Sequence, residues 1–146
     1  MPGRSRSEEK QYAAHIKRLR SSGSTACEFC KLVNHNSEQV IRRGTHFIIA
    51  KNIFPYSYWD YQGVADHLLI IPNKHTEKLG DLPPAAASEF ITLIDAYEDQ
   101  GYNVYARAPK SSIKSIAHQH THLIKPGGKV VKMLIYHRKP LIRIVR

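Results

Sequence analysis

His118-Gln119-His120-Thr121-His122, followed by Leu123-Ile124, carries an imidazole ring at every second position. Side chains alternate between the two faces of a β-strand, so a strand over residues 116–124 presents all three rings on one face. Three titratable rings on one buried face cost free energy unless a metal ion, a substrate or hydrogen bonds hold them. The repeat therefore indicates a functional cluster. The alternatives are a solvent-exposed strand face or a chance run of histidines.

The pattern around this stretch predicts an α+β fold with a mainly antiparallel five-stranded sheet and one principal helix. The principal helix opens at Pro83-Pro84, keeps apolar residues at helical spacing as far as Tyr97, and ends at Gly101. A turn is expected at Pro126-Gly127-Gly128, and the aromatic stretch from Asn52 to Gln62 is expected to be irregular. The candidate strands cover residues 39–42, 46–51, 67–71, 102–106, 116–124 and 130–136, with 141–145 as an edge strand or a tail.

The length of 146 residues corresponds to one ordinary domain. We expect a basic N-terminal helical extension over residues 1–24, with a short helix from Ser7 to Arg20, and a single domain over residues 25–146 that includes a basic C-terminal strand or tail. No run approaches the roughly 20 apolar residues of a membrane span, so a membrane protein is not expected. The polar start of the chain predicts no secretory signal and a cytoplasmic location.

The charge is unevenly distributed along the chain. The net charge is +10, from 22 Lys and Arg against 12 Asp and Glu. Residues 1–20 carry six basic and two acidic residues, and residues 100–146 carry ten basic residues and no acidic one. Such basic termini favour anionic partners, among them nucleotides, polyphosphates and nucleic acid. The alternative is that the charge serves solubility alone.

Cys27 and Cys30 are the only cysteines and form one Cys-x-x-Cys pair. A disulfide-stapled secreted module is therefore not expected, and a metal-binding turn or a redox pair is the better interpretation. A redox pair usually begins a helix in a βαβ setting, which the flanking sequence does not predict. A free thiol pair stays open as a third interpretation, and His35 lies near enough in sequence to act as a substitute ligand.

Three blocks of sequence, together with the cysteine pair, resemble the histidine triad (HIT) superfamily of nucleotide hydrolases and transferases. His118 to Ile124 resembles its His-x-His-x-His motif, and the block from Asp66 to His75 resembles its Gly-His-x-Leu-x-x-Pro-x-x-His segment. Asn52-Ile53-Phe54-Pro55-Tyr56 is similar to a segment of the diadenosine-polyphosphate phosphorylase branch. The chain departs from the family in having Asp66 in place of glycine and polar residues, Gln119 and Thr121, between the histidines.

The resemblance implies a covalent mechanism. His120 would attack the α-phosphate and form a nucleotidyl-histidine, with its other ring nitrogen held by a backbone carbonyl or a similar acceptor. His122 would contact the phosphate oxygens or the leaving group, and His67 would approach from the neighbouring strand. Ser115 matches the family serine three residues before the triad and would donate a hydrogen bond to the phosphate or the leaving group.

The resemblance also implies a structural zinc ion and a nucleotide pocket. Zinc-bearing members supply two cysteines and two histidines, which here are Cys27, Cys30, His75 and His118. The candidate substrate-binding residues are Asn52, Phe54, Tyr56 and Lys114, with Arg107 and Lys110 as further candidate cations. Core packing is the alternative role for the two aromatic residues. Three further histidines are interpreted as structural or solvent-facing: His15, His46 and His137.

The resulting prediction is an enzyme that cleaves a (di)nucleoside polyphosphate or a nucleoside phosphoramidate at the α-phosphate. Its expected partners are a nucleotide substrate, nucleic acid through the basic termini, and a second copy of the chain in a homodimer. Two alternatives stay open. One is a nucleic-acid 5′-adenylate hydrolase of the DNA-repair kind, and the other is a zinc-stabilised nucleotide- or nucleic-acid-binding module without turnover.

Overall fold

The computed structural model describes residues 3–21, 27–130, 133–136 and 141–144. These residues form three α-helices and eight β-strands, with a 3-10 turn at Leu79–Asp81. The helices are α1 Arg6–Ser21, α2 Glu28–Asn34 and α3 Pro84–Glu98. The strands are β1 Val40–Arg43, β2 Phe47–Lys51, β3 Tyr58–Trp59, β4 Gln62–Pro72, β5 Asn103–Ala106, β6 Thr121–Val130, β7 Met133–Tyr136 and β8 Leu141–Ile144.

One antiparallel sheet organises the described residues. Its strand order is β1-β2-β4-β6-β5, and the two-residue β3 pairs with β4 beside this path. The predicted α+β fold and antiparallel sheet are confirmed, with β3 as an added sixth strand. Within the part of the chain that the structure describes, strands β7 and β8 pair only with each other, in a separate two-stranded sheet. None of the helices among the described residues is long and apolar enough to cross a membrane.

Helices cover both faces of the central sheet. On β4, Leu68 and Ile70 pack with α3, whereas Leu69 and Ile71 pack toward α2 and its Phe29. The same alternation along β2 buries that strand from both sides. A strand buried on both faces has a continuous apolar sequence, which explains the unbroken run from Leu68 to Ile71. His67, on the same face as Leu69, therefore looks toward the α2 side.

Most of the histidine motif lies outside regular strand, although the sequence predicted a strand there. Strand β6 begins at Thr121, so only His122 lies in regular strand, and His118 and His120 lie in the extended segment before it. The backbone N–H of Gln119 donates to the carbonyl of Thr76 (2.6 Å), which ties this segment to the chain that follows β4 rather than to a sheet neighbour. The prediction of a strand from residue 116 was wrong for this reason.

Two further local predictions were wrong. Pro126-Gly127-Gly128 does not end the strand, because β6 continues to Val130 opposite β4. The pairs Val64–Pro126 and Gln62–Val130 leave two extra residues on β6, so this sequence forms a bulge within the strand. The aromatic segment after Asn52 was expected to be irregular, yet it contains the β3–β4 hairpin. Its two turn residues, Asp60 and Tyr61, have φ of 45° and 61°, the conformation of a tight hairpin turn usually marked by glycine or asparagine.

Two helical features extend the sequence-based picture. Cys27 precedes α2 and Cys30 lies in its first turn, so the cysteine pair begins a seven-residue helix instead of a simple tight turn. Helix α1 runs over Arg6–Ser21, close to the predicted Ser7–Arg20. The proposed boundary at residue 24 lies outside the described residues, as does His137, and it stays a prediction.

Candidate active site and metal cluster

The triad opens onto a cavity of about 830 Å³ on the α2 side of the sheet. A cavity of this size is in the range of small-molecule sites. His120 and His122 line it together with predicted residues Asn52, Phe54, Tyr56 and Ser115. Further lining comes from α1, α2 and the segment that follows β5. The structure thus brings most of the predicted substrate and catalytic residues to one place.

His120 has a defined tautomer in this cavity. It is 7% exposed, and its Nδ1–H donates to the backbone carbonyl of His118 at 2.9 Å. This hydrogen bond leaves the lone pair on Nε2. Burial lowers the pKa of His120 below the ordinary value, so the ring is neutral near pH 7. A neutral imidazole with a free Nε2 lone pair is a competent nucleophile.

His67 and His122 form a second pair of rings with fixed tautomers. The backbone N–H of Tyr56 donates to Nδ1 of His67 at 3.0 Å, which makes that nitrogen an acceptor. Burial, followed by the charge of Arg4, lowers the pKa of His67 to about 4, so the neutral ring carries its proton on Nε2. His67 Nε2–H then donates to Nδ1 of His122 at 2.9 Å.

This hydrogen bond determines which ring nitrogen of His122 carries the proton. Burial holds the pKa of His122 well below its ordinary value, and its Nδ1 is used as an acceptor, so its proton lies on Nε2. Among the described residues, His122 Nε2 is a buried polar atom without a hydrogen-bond partner. A buried N–H donor without a partner is costly unless a ligand supplies an acceptor. Phosphate oxygens are acceptors of the required kind.

The segment after β2 positions the neighbouring residues. Asn52 Oδ1 accepts a hydrogen bond from the backbone N–H of Phe54 at 3.0 Å, a local turn that sets the direction of the chain. Tyr56 is buried, and its ring lies 4.7 Å from the ring of His67 and 5.7 Å from that of His122. Both predicted roles of Tyr56, core packing and pocket lining, therefore apply to the same side chain.

The predicted cations separate into two groups. Arg107 lines the cavity, and its guanidinium donates to the hydroxyl of Tyr56 at 3.0 Å. Lys114, in contrast, is not part of the cavity lining. Its ammonium donates to the carbonyl of Glu77 (3.2 Å) and to the side chain of Gln119 (3.1 Å). This contact gives a partner to the buried Gln119, one of the polar residues that depart from the family pattern.

Four predicted metal ligands meet on the other side of Phe29. The candidate ligand atoms of Cys27, Cys30, His75 and His118 all lie within 4.8 Å of one another. His118 Nε2–H donates to the carbonyl of Pro72 at 3.0 Å, so its Nδ1 lone pair faces the thiols. A backbone acceptor on the second ring nitrogen is the usual arrangement for a metal-bound histidine.

The spacing of these atoms fits a tetrahedral zinc ion. Zn–S bonds of about 2.3 Å and Zn–N bonds of about 2.0 Å at tetrahedral angles put sulfur and nitrogen ligands about 3.5 Å apart. His118 Nδ1 lies 3.6 Å from both Cys27 Sγ and Cys30 Sγ, and His75 Nδ1 lies 3.3 Å from Cys30 Sγ. The residues present therefore match a two-cysteine, two-histidine site in type, number and spacing. His35 does not belong to this cluster.

One wall of the cavity was not predicted from the sequence. Gly3, Arg4 and four residues of α1 line it: Glu9, Tyr12, His15 and Ile16. His15, predicted to be structural or solvent-facing, is half-buried, and its ring lies 4.9 Å from the ring of Phe54. The helical spacing of Tyr12, His15 and Ile16 was the available signal that one face of α1 packs against something.

The family-model comparison matches the HIT domain over residues 33–128, the segment that holds the triad, the His67 strand and the cavity's central residues. The chain belongs to the HIT family. Adenosine 5′-monophosphoramidase HNT1 of Saccharomyces cerevisiae is 32% identical over 108 residues, which are 68% of this HIT protein and 61% of the yeast protein. HNT1 of Candida albicans is 27% identical over 112 residues, 68% of this chain and 69% of the relative. This HIT protein thus spans about three fifths of the yeast relative's length.

Solved structures agree with the fold. A histidine triad nucleotide-binding protein from Candida albicans has a TM-score of 0.56 at 22% identity, covering 69% of this chain and 76% of its own. A zinc-bound histidine triad family protein from Mycobacterium smegmatis has a TM-score of 0.53 at 23% identity, covering 74% and 81%. At these identities the likeness concerns the HIT fold. Helix α1 lies before the matched HIT segment.

Proposed function

We propose that this protein is a nucleotide hydrolase that cleaves a nucleoside 5′-phosphoramidate at the α-phosphate, with adenosine 5′-phosphoramidate as the first candidate substrate. The observation that carries the proposal is the neutral His120 with Nδ1–H bound to a backbone carbonyl and Nε2 free in the cavity. The names of the two HNT1 relatives support the phosphoramidate as substrate.

The proposed reaction has two steps. The Nε2 lone pair of His120 forms a bond to phosphorus while the P–N bond of the substrate breaks, and the departing nitrogen takes a proton from water and leaves as the neutral amine. A water molecule then attacks the nucleotidyl-histidine and returns one proton to solvent, the His120–phosphorus bond breaks to restore the neutral imidazole, and the nucleoside monophosphate leaves. Splitting the reaction in this way replaces one difficult displacement by two easier ones.

The other cavity residues have matching roles. His122 Nε2–H is the buried donor available to a phosphoryl oxygen, and His67 holds it in that tautomer through the 2.9 Å bond. Ser115 lines the cavity and carries a hydroxyl that can donate to the leaving group. Arg107 adds positive charge beside the phosphate position, and Asn52, Phe54 and Tyr56 border the nucleoside.

The test is release of AMP from adenosine 5′-phosphoramidate by wild type, His120→Ala and the control His46→Ala. His46 lies outside the cavity lining, in the turn before β2. We expect AMP release by wild type and the control, and a loss of at least about 1,000-fold in His120→Ala, since the nucleophile is removed. Equal turnover by His120→Ala, or no AMP release by wild type, contradicts the proposal.

We also propose that the Cys27, Cys30, His75 and His118 cluster holds a structural zinc ion. The ion would join the start of α2, the chain after β4 and the segment before β6. Through His118, whose carbonyl accepts the Nδ1–H of His120, the site would also fix the position of the nucleophile. The zinc ion would therefore have a structural role and would take no part in the proposed reaction.

Zinc content tests this second proposal. We expect about one zinc ion per chain in wild type and in His35→Ala, and loss of zinc in Cys30→Ser. Because a ligand present at a thousandfold excess over its Kd contributes about 4 kcal/mol, we expect the Tm of Cys30→Ser to fall by roughly 10 °C. Retention of zinc by Cys30→Ser, or a wild type that stays zinc-free after incubation with zinc, refutes the site.

The remaining predictions concern substrates and partners. Dinucleoside polyphosphates and 5′-adenylated nucleic acid are the alternative substrates, and the same AMP assay compares them. A homodimer is supported by strand β5, which pairs only with β6 among the described residues and so leaves one sheet edge open. Light scattering after size exclusion tests it. The nucleic-acid role of the basic termini and the intracellular location stay predictions.

A further inference from the structure

Helix α1 is joined to the cavity by specific contacts although it lies outside the matched HIT segment. The guanidinium of Arg4, just before the helix, donates from Nε and Nη2 to the carbonyl of Phe54 at 3.1 and 2.9 Å. The same group lies over the rings of Tyr12 (4.2 Å) and Tyr56 (4.9 Å). Its side chain is only 12% exposed. Arg4 therefore attaches the N-terminal segment to the cavity wall.

A second set of contacts fixes the same junction. The backbone of Gly3 pairs with that of Tyr58, and the backbone N–H of Ser5 donates to the hydroxyl of Ser57 at 2.9 Å. The Ser57 hydroxyl in turn donates to the carboxylate of Glu8. These contacts are polar, directional and partly buried, and they hold the first turn of α1 in one orientation relative to β3.

This orientation determines which face of α1 meets the cavity. Tyr12, His15 and Ile16 are half-buried and line it, whereas Gln11 and Ala14 are exposed to solvent. The ring of Phe54 lies 5.5 Å from that of Tyr12 and 4.9 Å from that of His15. The α1 face toward the cavity is therefore mainly apolar and aromatic, with the imidazole of His15 and the carboxylate of Glu9 as its polar groups.

The other residues of the cavity indicate which part of a nucleotide the α1 face would contact. The histidine side offers a nucleophile and an N–H donor, which fit a phosphoryl group. A nucleotide also carries a planar aromatic base, and such a group binds best against apolar and aromatic side chains with a few polar contacts. Leu32 of α2 and Ile116 are further apolar residues that line the same cavity as α1.

On the basis of the proposed function, we propose that the α1 face of Tyr12, His15 and Ile16 is a binding wall for the base of the nucleotide substrate. Ile16 and Tyr12 supply apolar contact to the ring, and the imidazole of His15 supplies a hydrogen bond to a polar atom of its edge. The N-terminal extension is then part of the substrate site and a determinant of affinity for the nucleoside part of the substrate.

The test compares a ligand that has a base with one that lacks it. Calorimetry measures the Kd of AMP and of ribose 5-phosphate for wild type, Ile16→Ala, His15→Ala and the control Gln11→Ala. Because a few methylene groups in an apolar pocket change affinity by about tenfold, we expect Ile16→Ala to weaken AMP binding by that factor. We expect His15→Ala to weaken it as well, and ribose 5-phosphate to bind all four proteins within about twofold of wild type.

Several results overturn the inference. The inference is wrong if Ile16→Ala and His15→Ala both bind AMP as tightly as wild type. It is also wrong if these variants lose affinity for AMP and for ribose 5-phosphate by the same factor, because that result indicates a general change in the site. Absence of AMP binding to wild type also overturns it. If AMP binds as expected while adenosine 5′-phosphoramidate is not cleaved, the proposed function fails and the α1 wall stands. Circular dichroism confirms that each variant retains its helices.

Discussion

Acidification from pH 7 to pH 5 is expected to destabilise this protein through His67. The side chain is 4% exposed, and burial together with the charge of Arg4 lowers its pKa to about 4 in the folded chain. In the unfolded chain the pKa returns to about 6.5. Between these two values the unfolded state binds more protons than the folded state, so the free energy of unfolding falls as the pH falls.

The magnitude follows from the two pKa values. Below pH 6.5 the loss approaches about 1.4 kcal/mol for each pH unit and levels off near pH 4, where folded His67 also takes up a proton. Integrated from pH 7 to pH 5, this one group contributes a loss of about 2 kcal/mol. The buried His122, whose pKa is also lowered, adds to the loss with the same sign.

The assay is urea unfolding at pH 7 and pH 5 with wild type, His67→Asn and the control His35→Asn. Asparagine does not titrate, so the difference in unfolding free energy between the two pH values should be smaller by about 2 kcal/mol in His67→Asn than in wild type. Replacement of the exposed His35 should leave the difference unchanged. Equal pH sensitivity in His67→Asn and wild type would refute the reasoning, whatever the absolute stability of the variant.

Three further outcomes follow from the described contacts. Replacing His122 by Ala removes the buried Nε2–H donor, so single-turnover AMP release should slow by about 100-fold; a loss of less than threefold would exclude an essential role. Asp60→Gly should raise the free energy of unfolding in urea by about 0.5 kcal/mol, because φ of 45° costs aspartate more than glycine; a lower midpoint would contradict this. Leu123→Ala should lower the unfolding free energy by about 3 kcal/mol, since Leu123 is fully buried between β4 and β5, and a loss under 1 kcal/mol would contradict the packing.

Local patterns were sufficient for the regular elements of the fold. The apolar run from Leu68 to Ile71 and the helix opened by Pro83-Pro84 are determined by burial periodicity and by proline at the first helical position. The cysteine pair indicated a metal-binding turn, and the resemblance to the HIT superfamily supplied His75 and His118 as the other two candidate ligands. For the strand and the helix the signal lies in residues that are close in sequence, whereas the four candidate ligands come from distant parts of the chain.

The misassigned segments have a different cause, because long-range pairing overrides local preference there. The segment from His118 to His120 alternates like a strand, yet its backbone bonds to Thr76 and its first ring turns to the cysteines. The Pro126-Gly127-Gly128 sequence predicts a turn, yet it forms a bulge in β6, which stays paired with β4 as far as Val130. Neither partner can be inferred from the few residues on either side.

The same reasoning explains why α1 could not be assigned a role from its own sequence. Its basic composition favours an anionic partner or serves solubility, and the spacing of Tyr12, His15 and Ile16 predicts a packed face but not the residues that this face packs against. That is decided by contacts such as Arg4 to Phe54, fifty positions apart in the chain. Since Arg4 also contributes to lowering the pKa of His67, the N-terminal segment acts on both the wall of the cavity and the charge state of the histidines within it. A variant that lacks residues 1–24 should therefore have a cavity with one wall missing and a higher pKa of His67, because it lacks the charge of Arg4.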